Sequence, residues 1–200
     1  PVYRDVHRLL HQLEVTSEMT LKVAFDEYYD RVICFGELLS STVVHHYLNG
    51  AGVEASWQDA RELIVTDSAF RNAVVDFDVS REKTEKKLLP LIKADVIAPV
   101  TIVTQGFIAA DGAGRSTSLG REGSDYTASI FGSLLDAEEV VIWKDVPGVL
   151  HDEPRYFTHT VKLDRLSYAE ATELAYYGAK VMHPKTVKPL QNKQIPLWVK

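Results

Sequence analysis

Two runs rich in β-branched and apolar residues, VIAPVTIVTQ (96–105) and EEVVIWKDVPGV (138–149), each run into a glycine turn. Between them lie a glycine-rich loop and a helix-forming stretch, YTASIFGSLL. Strands that are apolar on both faces need cover on both faces, and a helix between two of them is the usual crossover of a parallel sheet. This order predicts an α/β sandwich whose sheet is largely parallel. Ligands of such sheets collect beyond the carboxyl ends of the strands, which points to the loops after Trp57, Val103 and Ile142.

The flanking sequence fits the same plan. Val6, Leu9, Leu10 and Leu13, then Leu38, Leu39, Val43 and Tyr47, recur at helical spacing, and Asn49, Gly50 and Gly52 stop the second run. VEASWQ alternates as a short strand, and 59–78 mixes extended pieces with turns. Helices are predicted over 84–93 and 168–182, the latter with Leu174, Tyr177 and Val181 on one face and His183-Pro184 as its stop. IPLWVK closes the chain as a strand.

The loop LGREGSDYTASIF (119–131) has the chemistry of an anion site. Gly120 and Gly123 permit left-handed or closely approached backbone. Ser124 or Asp125 is positioned to cap the following helix, whose free N–H groups and dipole favour negative charge. Arg121 offers a planar fork suited to a carboxylate or a phosphate.

Composition narrows the partners. The chain has 46% hydrophobic and 25% charged residues, enough for a packed core and unlike a disordered segment. Its net charge of −6, concentrated in the first hundred residues, argues against nucleic acid. The single cysteine, Cys34, excludes an internal disulfide and reads as a small buried hydrophobe between Ile33 and Phe35. Apolar runs stay short of the ~18–20 residues of a membrane span, so the expectation is a cytoplasmic protein without a membrane partner. His7 and His11 share a helix face and His45 and His46 are adjacent, but the metalloprotease spacing is missing and no zinc or other protein-held metal is expected.

Six motifs in order, GELLSS (36–41), TQGFIA (104–109), LGREGSDYTAS (119–129), IWKDVPGV (142–149), EPR (153–155) and YYGAKVMHPKT (176–186), resemble those of aspartate kinases, members of the amino-acid kinase superfamily. The resemblance spans essentially the whole chain. It implies a three-layer αβα sandwich, with residues 1–200 forming part of one kinase domain, a substrate lobe over 1–130 and a nucleotide lobe over 131–200. It also implies transfer of the γ-phosphoryl group of ATP, with Mg²⁺, to the β-carboxylate of L-aspartate, the entry to lysine, threonine and methionine biosynthesis. A homodimer is compatible with the resemblance.

The resemblance carries roles to particular residues. Glu37 would receive the substrate ammonium, unless it only caps or solvates its helix. Arg121 would pair with the α-carboxylate, with Ser124 and the Phe107 backbone completing the cradle. Asp125 would be the catalytic organiser, holding lysines or magnesium near the moving phosphate, a role that can coexist with helix capping. Lys144, Asp145, Arg155, Lys180 and Val181 would meet the nucleotide.

Several departures accompany the match. The Lys-Phe-Gly-Gly-Thr segment that holds the transferring phosphate in the family, and the regulatory ACT domains, are not within these residues. The expectation is an internal fragment with little or no turnover of its own. Lys144 stands where many members have threonine, Leu150 where many have tyrosine, and Glu122 where glycine is common, tolerable only if that position does not need φ > 0. The competing readings are a kinase for glutamate, acetylglutamate or UMP, and a non-catalytic amino-acid-binding module of the same fold.

Overall fold

The helical periodicity of the first fifty residues produces two long helices, α1 (Val2–Ser17) and α2 (Phe25–Gly50), in the computed structural model. The model describes residues 1–18, 23–93, 100–145, 148–150, 157, 159–176 and 182–200. Two compact units divide the chain, Pro1–Ser124 and Asp125–Lys200.

In the first unit α2 turns Cys34, Phe35 and Leu38 inward, where they pack with Leu9, Ala60 and Ile108. Cys34 is buried as read, and burial pushes its thiol up. Val43 and Tyr47, at helical spacing with Leu38, are nevertheless exposed. The same helix buries Asp30, whose carboxylate accepts from the Ser118 hydroxyl at 2.6 Å, the Ser118 N–H at 2.8 Å and the Arg71 N–H at 2.7 Å. Three donors to one carboxylate offset its desolvation.

The strands of this unit are short. β1 (Ala55–Trp57) pairs in parallel with β4 (Thr101–Val103). β2 (Val65–Thr66), β3 (Val75–Asp76), β5 (Ile108–Asp111) and β6 (Ser116–Ser118) form a second sheet in the order β3-β2-β5-β6. Its β2–β5 pair is parallel, while β2–β3 and β5–β6 are antiparallel. The predicted strand over 96–105 is thus represented by β4, its first four residues lying outside the described ones.

Helix α3 (Phe77–Lys93) starts seven residues before the predicted 84–93. Asp76 accepts from the Val79 N–H and anchors the start. Periodicity hid the helix because its inward face includes Ser80 and Thr84 ahead of Leu88. Ser80 Oγ serves the backbone of β2, accepting from the Val65 N–H at 2.8 Å.

In the second unit, α4 (Gly123–Leu134) leads to β7 (Val140–Ile142), which pairs in parallel with β8 (Leu197–Val199). Most of α4 belongs to this unit; its first two residues belong to the other. Val140, Ile142, Leu190 and Ile195 form the core. Helices α5 (Tyr168–Tyr176) and α6 (Pro184–Gln191) complete it. His183, read from sequence as a helix stop, opens a helix here, while residues 177–181 of the predicted 168–182 helix lie outside the described residues. Its Nδ1 accepts from the Lys185 N–H at 3.1 Å, and Pro184 occupies the first turn, where its missing N–H costs nothing. Among the described residues no helix is long and apolar enough to cross a membrane.

Candidate functional site

The β5–β6 hairpin, with Ile108 opposite Ser118, sets the turn before β5 beside the loop after β6. Leu119 N–H donates to the Phe107 carbonyl at 2.9 Å and continues the ladder into both loops. Two glycines allow the approach. A Cβ on Gly106 would stand 2.9 Å from Ser124 Cα, Cβ and Oγ; one on Gly123 would stand 2.6 Å from Phe107 Cδ2. Phe107 and Ser124, named from sequence, are therefore neighbours across a contact that no larger residue permits.

The backbone of this cradle is held in costly conformations. Phe107 has φ +70°, and Ile108 N–H reaches back to the Gly106 carbonyl at 2.8 Å, closing a three-residue turn of the rare kind. Gly120 has φ +76° and packs against Arg71 and Asn72. Glu122 has φ +52°, so the condition set for a side chain here is not met. One carboxylate oxygen of Glu122 is buried with no hydrogen-bond partner among the described residues. Such strain persists where surrounding packing over-determines it, commonly at ligand sites.

Helix α4 begins at Gly123, so Ser124 and Asp125 lie inside its first turn rather than at the cap. Arg121 is exposed on the loop. Glu37 is half-buried on α2, and burial pushes its carboxyl up. One turn later Ser41 accepts from Gln105 Nε2 at 2.7 Å and from Trp57 Nε1 at 3.0 Å. Gln105, 2% exposed, also accepts from the Ala60 N–H at 2.8 Å. This network fastens the Glu37 turn to the residue just before Gly106-Phe107.

Two positioning residues escaped the sequence reading, Asp30 and Gln105. Asp30 fixes Ser118 and Arg71, which lead into and pack against the loop. A polar residue inside an apolar helical face was the available signal for Asp30.

In the second unit Lys144, at the end of β7, places Nζ 2.7 Å from Asp125 Oδ2. Both side chains are largely buried, 19% and 17% exposed. The structure thus joins one residue expected at the nucleotide to the expected catalytic organiser. Asp145 is exposed. Arg155, Lys180 and Val181 lie outside the described residues. Among the described residues no group of three or more His, Cys, Asp or Glu could hold a metal ion.

Comparisons with known proteins agree in direction. A family model described as "Amino acid kinase family" matches residues 3–200. The chain is 35% identical over 198 residues to lysine-sensitive aspartokinase 3 of Escherichia coli (strain K12), covering 99% of this chain and 43% of that protein. It is 37% identical over 177 residues to bifunctional aspartokinase/homoserine dehydrogenase 1 of Zea mays, covering 88% of this chain and 19% of that protein. The chain therefore spans less than half the length of these relatives. Among solved structures, E. coli aspartokinase III in complex with aspartate and ADP aligns with a TM-score of 0.89, 35% identity and coverage of 99% of this chain and 43% of that one. The aspartate kinase of Clostridium acetobutylicum aligns at 0.74 with 29% identity, covering 96% and 40%.

Proposed function

The chain belongs to the amino acid kinase family, and on that premise we propose that it performs the substrate recognition of an aspartate kinase, in a protein that transfers the γ-phosphoryl group of ATP to the β-carboxylate of L-aspartate. In that reaction a β-carboxylate oxygen bonds to the γ-phosphorus, the bond to the β-phosphate oxygen breaks, and ADP leaves with its electron pair. The chemistry asks mainly for positioning and charge neutralisation.

Arg121 takes the α-carboxylate bidentately, leaving the β-carboxylate to react. Glu37 takes the ammonium, and Ser124 with the Phe107 backbone closes the cradle. Asp125 holds Lys144, so that the lysine's charge faces the phosphates at a fixed place. Asp145, Arg155, Lys180 and Val181 complete the nucleotide contacts, and a Mg²⁺ ion bound with ATP would supply neutralisation of part of its phosphate charge. Residues 1–130 serve the amino acid and 131–200 the nucleotide in this reading, which places the product on the route to lysine, threonine and methionine. The observation that carries the proposal is the contact of the Gly106-Phe107 turn with the Gly123-Ser124 helix start, a strained cradle with an arginine on its loop.

Calorimetric titration of L-aspartate into the chain and into Arg121→Ala tests it. We expect saturable binding that weakens at least about tenfold in the variant, the loss of a charge-assisted bidentate contact. Binding indifferent to the arginine, or no binding by the unaltered chain, overturns the assignment.

A further inference from the structure

The turn end of the β5–β6 hairpin, opposite the end that carries the cradle, borders a cleft of about 750 Å³. Ala110 and Gly114 of the hairpin form one side of it. The rest of its lining is charged: Asp59, Arg61 and Glu62 from the 3-10 turn after β1, and Lys83, Lys86 and Lys87 from one face of α3. Four cations thus face two carboxylates, and both carboxylates are engaged within the cleft. Asp59 accepts from Arg61 Nε at 3.0 Å and from Arg61 Nη2 at 2.7 Å, and Glu62 pairs with Lys87. Arg61 Nη1 also donates to Ser116 Oγ at 3.1 Å, which fixes the guanidinium against β6. The ammonium groups of Lys83 and Lys86 have no carboxylate partner among the described residues. Asp78, Glu82 and Glu85 of the same helix do not line the cleft, and Glu85 pairs with Arg81 at 3.6 Å. Asp111, next to Ala110, is held by Arg115 at 2.7 Å.

Lysines at positions i, i+3 and i+4 of a helix repel one another. Here they do so beside a fixed guanidinium, in the half of the chain where negative charge is concentrated. An anion in the cleft relieves that repulsion. The same background limits the ligand. A net charge of −6 repels a long polyanion such as nucleic acid, whereas a cleft of this volume takes a small molecule. Two unengaged ammonium groups match a ligand with two or more negative groups close together.

We propose that this cleft binds a small, multiply charged anion, a phosphate ester or polycarboxylate, with Lys83 and Lys86 as its main contacts. Arg61, held by Asp59, supplies a fixed positive charge beside them. All of the lining residues fall outside the six sequence motifs. The site is separate from the Phe107–Leu119 end of the hairpin, and the inference does not depend on the aspartate kinase reading.

The test is calorimetric titration of pyrophosphate, citrate and L-aspartate into the 200-residue chain at an ionic strength of about 0.15 M. The same titrations are made with Lys83→Gln/Lys86→Gln, with Lys83→Arg/Lys86→Arg, and with Lys188→Gln, which removes an exposed lysine of α6. We expect saturable binding of pyrophosphate, citrate or both, weakened at least about tenfold in the glutamine double variant. The arginine double variant and Lys188→Gln should stay within about threefold of the unaltered chain, and L-aspartate binding should be the same in every variant. Pyrophosphate bound in preference to citrate supports the site with a phosphate as its ligand, and the reverse preference supports it with a polycarboxylate. Neither anion bound by the unaltered chain, or both bound equally well by the glutamine double variant, overturns the inference. Equal weakening in Lys188→Gln overturns it too, because overall charge then explains the effect. So does loss of L-aspartate affinity in the glutamine double variant, which marks a structural role for the lysines. A chain that binds pyrophosphate through these lysines but binds no L-aspartate supports this inference while overturning the functional reading.

Discussion

Lys144 Nζ and Asp125 Oδ2 lie 2.7 Å apart, joining the carboxyl end of β7 to the first turn of α4. Each side chain is less than one-fifth exposed, so the pair is screened less than a surface ion pair and still pays some desolvation. A double-mutant cycle of Asp125→Ala and Lys144→Ala, followed by urea unfolding, should give a coupling of about 1–2 kcal/mol that shrinks with added salt. Coupling under about 0.5 kcal/mol would mean that the pair organises nothing.

Burial pushes the Glu37 carboxyl above its ordinary range. If its ionised form receives the substrate ammonium, L-aspartate affinity falls on acidification, beginning above the ordinary glutamate value of about 4.3. Protonation removes the attraction, so the sign is weaker binding at lower pH. Glu37→Gln should bind more weakly at neutral pH and lose that acid limb. An unchanged limb in the variant assigns it to another group.

Glu122 combines φ +52° with a buried carboxylate oxygen that lacks a partner among the described residues. Glycine removes both penalties. Glu122→Gly should raise stability by about 1 kcal/mol, or ~2–4 °C in thermal midpoint for a chain of this size. Glu122→Ala removes the carboxylate but keeps the backbone strain, and should gain less. Equal gains in the two variants would attribute the effect to the carboxylate alone.

At Gly123 an added methyl meets Phe107 Cδ2 at 2.6 Å and Phe107 Cα at 3.2 Å. Gly123→Ala must part the two loops of the cradle. We expect a loss of about 1–3 kcal/mol by denaturant unfolding, with L-aspartate affinity reduced at least tenfold. Full affinity in a destabilised variant would separate the glycine's packing role from the site.

Asp30 binds Ser118 and Arg71 through three donors. Asp30→Asn keeps the shape but turns an amide toward groups that also donate, and should cost about 2–4 kcal/mol. Because the next residues form the Gly120–Arg121 loop, aspartate binding should weaken more in this variant than in an equally destabilised core variant, such as Leu38→Ala. Equal losses would reduce Asp30 to a stability role.

The local part of this protein was legible in the chain. Helical spacing revealed α1 and α2, the β-branched runs revealed β4 and β7, and the glycines around Arg121 revealed the loop. These signals are short-range, since each depends on residues a few positions apart. The motifs carried the family, which the comparisons show. Polar and proline-bearing elements were hidden: α3 buries Ser80 and Thr84, and α6 contains Pro184 and Pro189. In α3 the buried small polar residues weaken the hydrophobic period, and in α6 the two prolines mask the helical spacing of Val187 and Leu190.

The two long N-terminal helices and the anion-friendly loop were thus determined by the sequence alone, because backbone preference and charge act locally. Tertiary structure decided that Phe107 touches Gly123, that Lys144 reaches Asp125, and that Lys185 rests over Tyr126. Those contacts join residues 16 to 59 positions apart. Their distances depend on strand register, parallel helix packing and the missing Cβ atoms of glycine, quantities that exist only once the chain has folded.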